Sequence, residues 1–157
     1  MPSIVKIEAP ELSAIEPSRA AQIRAVFAPM AEISERLRTQ DNHCTMNPMF
    51  CVQILVRDVG YDPQYADGET VWIDMQSGDC EEVAPESEGA EEFGFKDRWE
   101  TVMVSFTEKG AEGYLERDGH NVKRRAHNGQ VRIFVESWNR CDEMIAIRDF
   151  LLQKGGE

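Results

Sequence analysis

The stretch DRWETVMVSFTEKGAEGYLERDGHNVKRRAHNGQVRIFVESWNRCDEMIAIRDFLL, from Asp97 to Leu152, carries the clearest succession of structural signals in the chain. Apolar and polar residues alternate from Trp99 to Phe106 and again from Val131 to Glu136, and each alternation predicts a half-buried strand. The residues between these strands are numerous enough to form a helix. A strand–helix–strand unit of this length favours a right-handed crossover, which would make the two strands a parallel pair.

Capping residues place the helices of this stretch. Thr107 is a favourable N-cap for a helix over residues 108–118, and Gly119 suits the left-handed position that ends many helices. The residues that follow, 119–129 (GHNVKRRAHNG), are then expected to form a basic loop. Asn139 can cap a final helix, whose first turn is acidic and so complements the helix dipole.

Two further strands are predicted upstream. The segment from Met49 to Arg57 is rich in β-branched and apolar residues, which is typical of a strand. Its alternation puts four apolar side chains on one face: Phe50, Val52, Ile54 and Val56. A second alternation, from Glu69 to Met75, predicts a strand that pairs antiparallel with the first.

The N-terminal part of the chain predicts an arm followed by helices. Residues 1–12 suggest an arm or a short edge strand. Beyond them, apolar residues recur every three or four positions, which is typical of a helix with one face toward the core. These positions are Ile23, Val26, Phe27, Met30, Ile33 and Leu37. An interior proline removes a helical hydrogen bond and clashes with the preceding turn, so Pro29 predicts separate helices near residues 17–28 and 30–40.

Together these elements predict an α+β fold. We expect a mixed sheet of about four strands with helices packed on one face, plus the N-terminal amphipathic helices. A chain of 157 residues is long enough to bury a core without disulfides or metals. Residues 1–47 are expected to form the arm and the kinked helical segment. Residues 48–157 are expected to form the α+β domain, including an acidic loop over residues 76–95, within one globular unit.

The charge distribution is the most distinctive property of the sequence. The formal net charge is −12, and the segment from Asp58 to Phe95 holds 12 acidic residues and no Lys or Arg. The rest of the chain is therefore balanced, with 17 acidic and 17 basic residues. Within it, the segment from Arg117 to Arg140 has a local charge of +4. The protein is electrically divided rather than uniformly acidic.

The acidic segment predicts either a solubilising surface loop or a surface that binds a basic partner. Carboxylates displayed at high density resemble the phosphates of a nucleic acid and attract the basic groove of a nucleic-acid-binding protein. Tyr61, Tyr65 and Trp72 could supply the aromatic anchors that protein interfaces favour. The candidate partner-binding residues are Asp79, Glu81, Glu82, Glu86, Glu88, Glu91 and Glu92.

Two alternative functions remain open. One is a small enzyme or nucleic-acid-processing protein, whose candidate site consists of His120, Asn121, Arg124, Arg125, Glu136 and Arg140. The other is an assembly accessory that self-associates through the N-terminal helices, which allows a homodimer. The sequence has no nucleotide-binding or hydrolase motif, so no cofactor and no catalytic residue is assigned.

The four cysteines do not predict a metal site. Cys44, Cys51, Cys80 and Cys141 are irregularly spaced, and in a reducing cytosol they are expected to be free and buried as small apolar groups. His43 precedes Cys44, but neither a CxxC nor an HxxxH pair accompanies them. No metal ligand is therefore assigned.

Parts of the sequence resemble a group of small proteins encoded by phages and prophages. The resemblance lies in APELSAIEPSRAAQIRAVFAPM (9–30), DRWETVMVSFTEKGAEGYLERDGHN (97–121) and VRIFVESWNRCDEMIAIRDFL (131–151). It implies an origin but no activity, and it does not include the acidic segment. A small acidic protein of this origin is similar in type to inhibitors of host defence, including anti-CRISPR proteins, several of which mimic DNA.

This similarity in type implies the setting in which the protein would act. We expect it in the cytoplasm of an infected bacterial host, since the sequence has no signal-peptide pattern and no apolar run of about 18 residues. The expected partner is a host nucleic-acid-binding or defence protein. Direct binding to duplex nucleic acid is disfavoured by the net charge of −12.

Overall fold

The computed structural model describes residues 17–66 and 69–153. The three helices are α1 (Pro17–Thr39), α2 (Glu108–Arg125) and α3 (Asp142–Leu152). The four strands are β1 (Pro48–Tyr61), β2 (Thr70–Asp74), β3 (Ala90–Ser105) and β4 (Val131–Ser137). The predicted α+β class, with a sheet of four strands, is confirmed. The predicted arm over residues 1–12 lies outside the described residues.

The strands form one sheet in the order β2–β3–β1–β4, and all three pairings are antiparallel. The predicted pairing of the second strand with the first is wrong, because β2 pairs with β3 and the two edges of β1 are taken by β3 and β4. The predicted parallel pair is also wrong. Helix α2 does cross from β3 to β4, but β1 lies between these two strands. The described sheet is therefore antiparallel rather than mixed.

The core lies between the sheet and helix α2. The side chains of Phe50, Val52 and Ile54 are at most 2% exposed, as the alternation of β1 predicts, and they pack against Ala111 and Val122 of α2. The apolar side chains of β4 complete this layer with Val131, Ile133 and Val135. One face of the sheet is thus buried under a helix, as predicted.

Helix α2 begins where the sequence predicts but ends later. The hydroxyl of Thr107 accepts a hydrogen bond from the Gly110 amide, which confirms the N-cap. The helix then continues through Gly119 to Arg125, so the predicted C-cap and much of the predicted basic loop are wrong. A glycine inside a helix costs only about 1 kcal/mol. Burial of Val122 in the following turns offsets that cost.

Helix α1 is continuous through Pro29, so the predicted division into two helices is wrong. Among the stripe's described side chains, Leu37 near the C-terminal end is 3% exposed, whereas Phe27 is 58% and Met30 48% exposed. The side chains of Ile23 and Val26, also in the predicted stripe, lie outside the described residues.

Helices α1 and α3 pack on each other beside the sheet. The Ser34 hydroxyl of α1 donates a hydrogen bond to the Leu151 carbonyl of α3. Asn139 does not cap α3: the N-cap is Cys141, and the Asn139 side chain instead accepts a hydrogen bond from the Asn47 side chain at 3.1 Å. No helix in the part of the chain that the structure describes is long and apolar enough to cross a membrane.

Substitutions on strand β1 test this assignment of the core. Ile54→Ala should lower the free energy of unfolding by about 2–5 kcal/mol, because it leaves a cavity under α2. Val59→Ala on the same strand should change it by less than about 0.5 kcal/mol, because Val59 is 40% exposed. Urea denaturation followed by circular dichroism measures both, and equal losses would contradict the assignment.

Candidate functional site

The acidic segment forms one edge of the sheet. After β2 the chain turns back, and residues 81–83 pair with β2: the Asp74 amide bonds the Glu81 carbonyl at 3.0 Å, and the Val83 amide bonds the Trp72 carbonyl at 2.9 Å. Charged residues on an edge strand prevent further strands from pairing there. The predicted loop over residues 76–95 is therefore only partly a loop. Its last residues belong to β3.

All seven predicted partner-binding carboxylates are exposed. Glu91 and Glu92 lie in β3, opposite Ile73 and Trp72 of β2, and the other five lie on the chain between β2 and β3. Among the residues that the structure describes, only Glu82 of the seven has a Lys or Arg side chain within 4.0 Å. The other six carboxylates are available to an external cation. We name these seven residues the acidic edge.

Arg57 of β1 is the cation that holds the acidic edge to the rest of the sheet. Its guanidinium donates two hydrogen bonds of 2.8 Å to the carboxylate of Asp97 on β3. The same guanidinium lies 3.7 Å above the Phe95 ring and 3.5 Å from a Glu82 carboxylate oxygen. The Arg57 side chain is only 19% exposed, so these interactions occur in a partly desolvated setting that strengthens them.

The contacts of Arg57 shift two pKa values. The hydrogen bonds from Arg57 hold the pKa of Asp97 below its ordinary value of 3.8, and the positive charge of Arg57 acts in the same direction. The hydrogen bond to Asp97 raises the pKa of Arg57, with further contributions from the charges of Asp97 and Glu82. Both groups are therefore charged at neutral pH.

Aromatic side chains accompany the acidic edge. Tyr65 is 70% exposed and Tyr61 is 40% exposed, whereas Trp72 is half-buried on β2. The Tyr61 ring lies 5.0 Å from the ammonium of Lys96. The two tyrosines are thus accessible to a partner, as an anchoring role requires, and Trp72 contributes mainly to packing of the edge.

The structure does not gather the residues of the alternative enzyme site. His120, Asn121, Arg124 and Arg125 are exposed on α2, which covers one face of the sheet. Glu136 of β4 lies on the opposite face, where its carboxylate is 3.5 Å from the Gln53 side chain. A general acid–base pair needs its members within hydrogen-bond reach of a common reacting atom. This arrangement does not supply one.

The basic residues lie away from the acidic edge. Lys123, Arg124 and Arg125 form the last turn of α2, where positive charge is favoured by the helix dipole. Arg125 lies 3.9 Å from Glu100 on β3, so this turn lies over the sheet and not at the edge opposite β2. In the described part of the chain, none of the three basic residues lies within 4.0 Å of a carboxylate of the acidic edge.

Sequence reasoning does not identify a polar cluster on the face of β1 that is turned away from α2. Gln53 is 5% exposed, accepts a hydrogen bond of 2.9 Å from Arg132 and donates one of 3.1 Å to Thr101. The Arg132 guanidinium lies 4.0 Å from the Trp99 ring and 4.6 Å from the Phe134 ring. The only sequence signal is a glutamine within an apolar strand. This glutamine predicts a buried polar group, but the sequence does not predict which side chains bond to it.

The cysteines are free, but only one is buried. Cys51 is 1% exposed, whereas Cys44 and Cys80 are exposed and Cys141 is intermediate, so the expectation of four buried thiols is wrong. Burial, together with the charge and hydrogen bond of Glu136, raises the pKa of Cys51 to about 11. The Cys51 thiol is therefore protonated and unreactive at neutral pH. Among the described residues, no group of three His, Cys, Asp or Glu side chains is placed to hold a metal ion.

Comparison of the chain with protein-family models, curated proteins and solved structures finds no match in any of the three.

The link between Asp97 and Arg57 predicts a dependence of stability on pH. A carboxylate whose pKa is lowered by folding stabilises the fold above its unfolded pKa, and this contribution is lost as the pH falls through the folded pKa. Asp97→Asn should therefore lower the free energy of unfolding at neutral pH, by less than about 1 kcal/mol. The difference from the wild type should disappear as the pH falls below 3.8.

Urea denaturation of both proteins from neutral to acid pH measures this difference. Asp79→Asn is the control, because Asp79 is exposed and has no basic partner within the described residues. A difference between the wild type and Asp97→Asn that persists unchanged at acid pH would show that ionisation of Asp97 is not its cause.

Proposed function

We propose that this protein binds a basic, nucleic-acid-binding surface of another protein through its acidic edge and thereby occludes that surface. The carboxylates of the acidic edge stand in for the phosphates of a nucleic acid. The observation that carries the proposal is that all seven are exposed, while only Glu82 has a basic partner in the described part of the chain. A folded protein gains little stability from such a concentration of like charge, so binding is the better account of it.

The arrangement of the acidic edge favours fast and salt-dependent association. Long-range attraction between a negative patch and a positive groove raises association rates and is screened by salt over about 10 Å at 0.1 M. Within the described residues, the basic turn of α2 makes no ion pair with the acidic edge. The attraction therefore orients the protein with its acidic edge toward the partner.

The proposed partner is a nucleic-acid-handling or defence protein of a bacterial host, for example a CRISPR component. The resemblance of residues 9–30, 97–121 and 131–151 to phage-encoded proteins supports this class of partner, and it supports the bacterial cytoplasm as the place of action. Inhibition would follow from exclusion of the partner's own nucleic acid. No catalytic step by this chain is required.

Charge reversal within the acidic edge tests the proposal. We expect the quadruple substitution of Asp79, Glu81, Glu86 and Glu88 to Lys to weaken partner binding at least about tenfold, since close interfacial charge pairs contribute about 1.5–7 kcal/mol each. Glu82 is retained because it pairs with Arg57. The matched control reverses four exposed acidic residues of α2 and α3: Glu112, Glu116, Glu143 and Asp149. Both variants have the same net charge.

The measurement is affinity capture from host lysate, read by mass spectrometry, at low salt, at high salt and with added duplex DNA. Support requires nucleic-acid-binding proteins that high salt and duplex DNA both release, that the control variant retains and that the edge variant loses. Equal capture by the two variants would show that net charge alone, and not the acidic edge, attracts the partners. Captured proteins that duplex DNA does not displace would contradict the mimicry.

Exposed apolar side chains on the paired helices favour a second candidate function, self-association. Phe27 and Met30 of α1 and Ile147 and Phe150 of α3 are all at least 47% exposed. Exposed apolar patches on packed helices often mark protein interfaces. Multi-angle light scattering over a range of concentrations tests this candidate. A monomeric mass at every concentration would exclude it.

A further inference from the structure

A groove adjoins the acidic edge on the sheet face away from α2. Its volume is about 350 Å³. The walls are mostly apolar and include Val59 of β1, Ile73 of β2, Phe93 of β3, and Met75 just after β2. Cys80 and Glu82 close its outer side. Residues of three neighbouring strands thus form the walls of the groove.

The register of the sheet explains why these apolar side chains converge. Successive side chains of a strand point to opposite faces, and directly paired residues share a face. Phe93 pairs with Val71, and Ile73 pairs with Glu91, so alternate positions of β2 and β3 face the groove. Ile73 is 5% exposed, but Met75 is 51% and Val59 40% exposed, which leaves apolar surface open to solvent.

The charges around the groove select the kind of chain that can bind there. Asp79 and Glu81 flank Cys80 in sequence, and Glu82 and Glu91 lie on either side of Ile73. Arg57 also lines the groove, but its charge is compensated by Asp97 and Glu82. The rim is therefore negative and the walls apolar. An acidic or neutral polar segment would gain nothing from this combination.

We propose that the groove takes one large apolar side chain, best an aromatic one, carried by a lysine- and arginine-rich segment of the protein partner. The inference rests on the proposed function and adds an anchor to it. Carboxylates of the rim pair with the basic residues of that segment, while its aromatic residue covers Val59 and Met75. Interfaces commonly derive most of their affinity from a few such buried anchors, and rim charges contribute specificity and association rate.

Two model peptides separate the anchor from the charge attraction. One is a short lysine-rich peptide with a central tryptophan, and the other has alanine at that position; each carries a fluorescein label. Fluorescence anisotropy at low salt should show the tryptophan peptide binding at least about tenfold more tightly, the effect of burying one large apolar side chain. Met75→Gln should remove most of this advantage. Met46→Gln is the control, because Met46 is 72% exposed and outside the groove.

Thiol alkylation gives a second measurement that does not depend on a variant. Cys80 lines the groove and is exposed, and Cys44 is exposed elsewhere. Mass spectrometry should show that the tryptophan peptide slows alkylation of Cys80 severalfold and leaves Cys44 unchanged. Equal slowing at both cysteines would overturn the assignment of the groove as the anchor site.

The outcomes distinguish this inference from the proposed function. If both peptides bind equally and high salt releases both, the acidic edge attracts cations but the groove takes no anchor, and the inference is overturned. If Met75→Gln keeps the full advantage of tryptophan, the anchor binds elsewhere, which also overturns it. If neither peptide binds at low salt, the proposed function fails together with the inference.

Discussion

The burial of strand β1 is the constraint on which the rest of the structure depends. Both edges of β1 are paired, and one face is covered by α2, so Phe50, Val52 and Ile54 are almost completely removed from water. Each such side chain contributes about 1.5–3 kcal/mol through burial. Because β3 and β4 occupy both edges of β1, the short strand β2 pairs instead with the outer edge of β3. The acidic segment that surrounds β2 is thereby placed at the edge of the sheet.

The edge of the sheet is also the place where an acidic segment destabilises the fold least. Exposed carboxylates keep their hydration, and repulsion between them is weakened by water and salt. Only where the segment approaches the sheet is a cation needed, and Arg57 lies there between Asp97 and Glu82. A second cation of the sheet, Arg98, pairs with Asp58 at 2.7 Å on β1. Arg57 is thus the counter-ion at the place where the acidic edge approaches the sheet, and the exposed carboxylates beyond it stay hydrated.

Local signals in the sequence predicted local structure, and long-range contacts decided the rest. The alternation of β1 and the N-cap Thr107 depend on neighbouring residues, and both predictions are confirmed. The position at which α2 ends depends on the burial of Val122 against the sheet. Capping rules consider only residues near the helix end, so they do not predict this contact. The same holds for the candidate site. Its acidic residues were identified from composition, but the contact between Arg57 and Asp97 joins residues 40 positions apart. The periodicity of a sequence does not predict contacts between residues so far apart in the chain.

The ordered backbone of the acidic edge bears on the binding that we propose for it. A mobile acidic loop would lose conformational entropy on binding and would adapt to many basic surfaces. Here the backbone of residues 81–83 is hydrogen-bonded to β2, and Glu91 and Glu92 belong to β3, so four of the seven carboxylates are carried on paired strands. Their spacing is fixed before binding. In the binding that we propose, such a surface would distinguish basic grooves by shape as well as by charge, and selectivity for one partner requires that distinction.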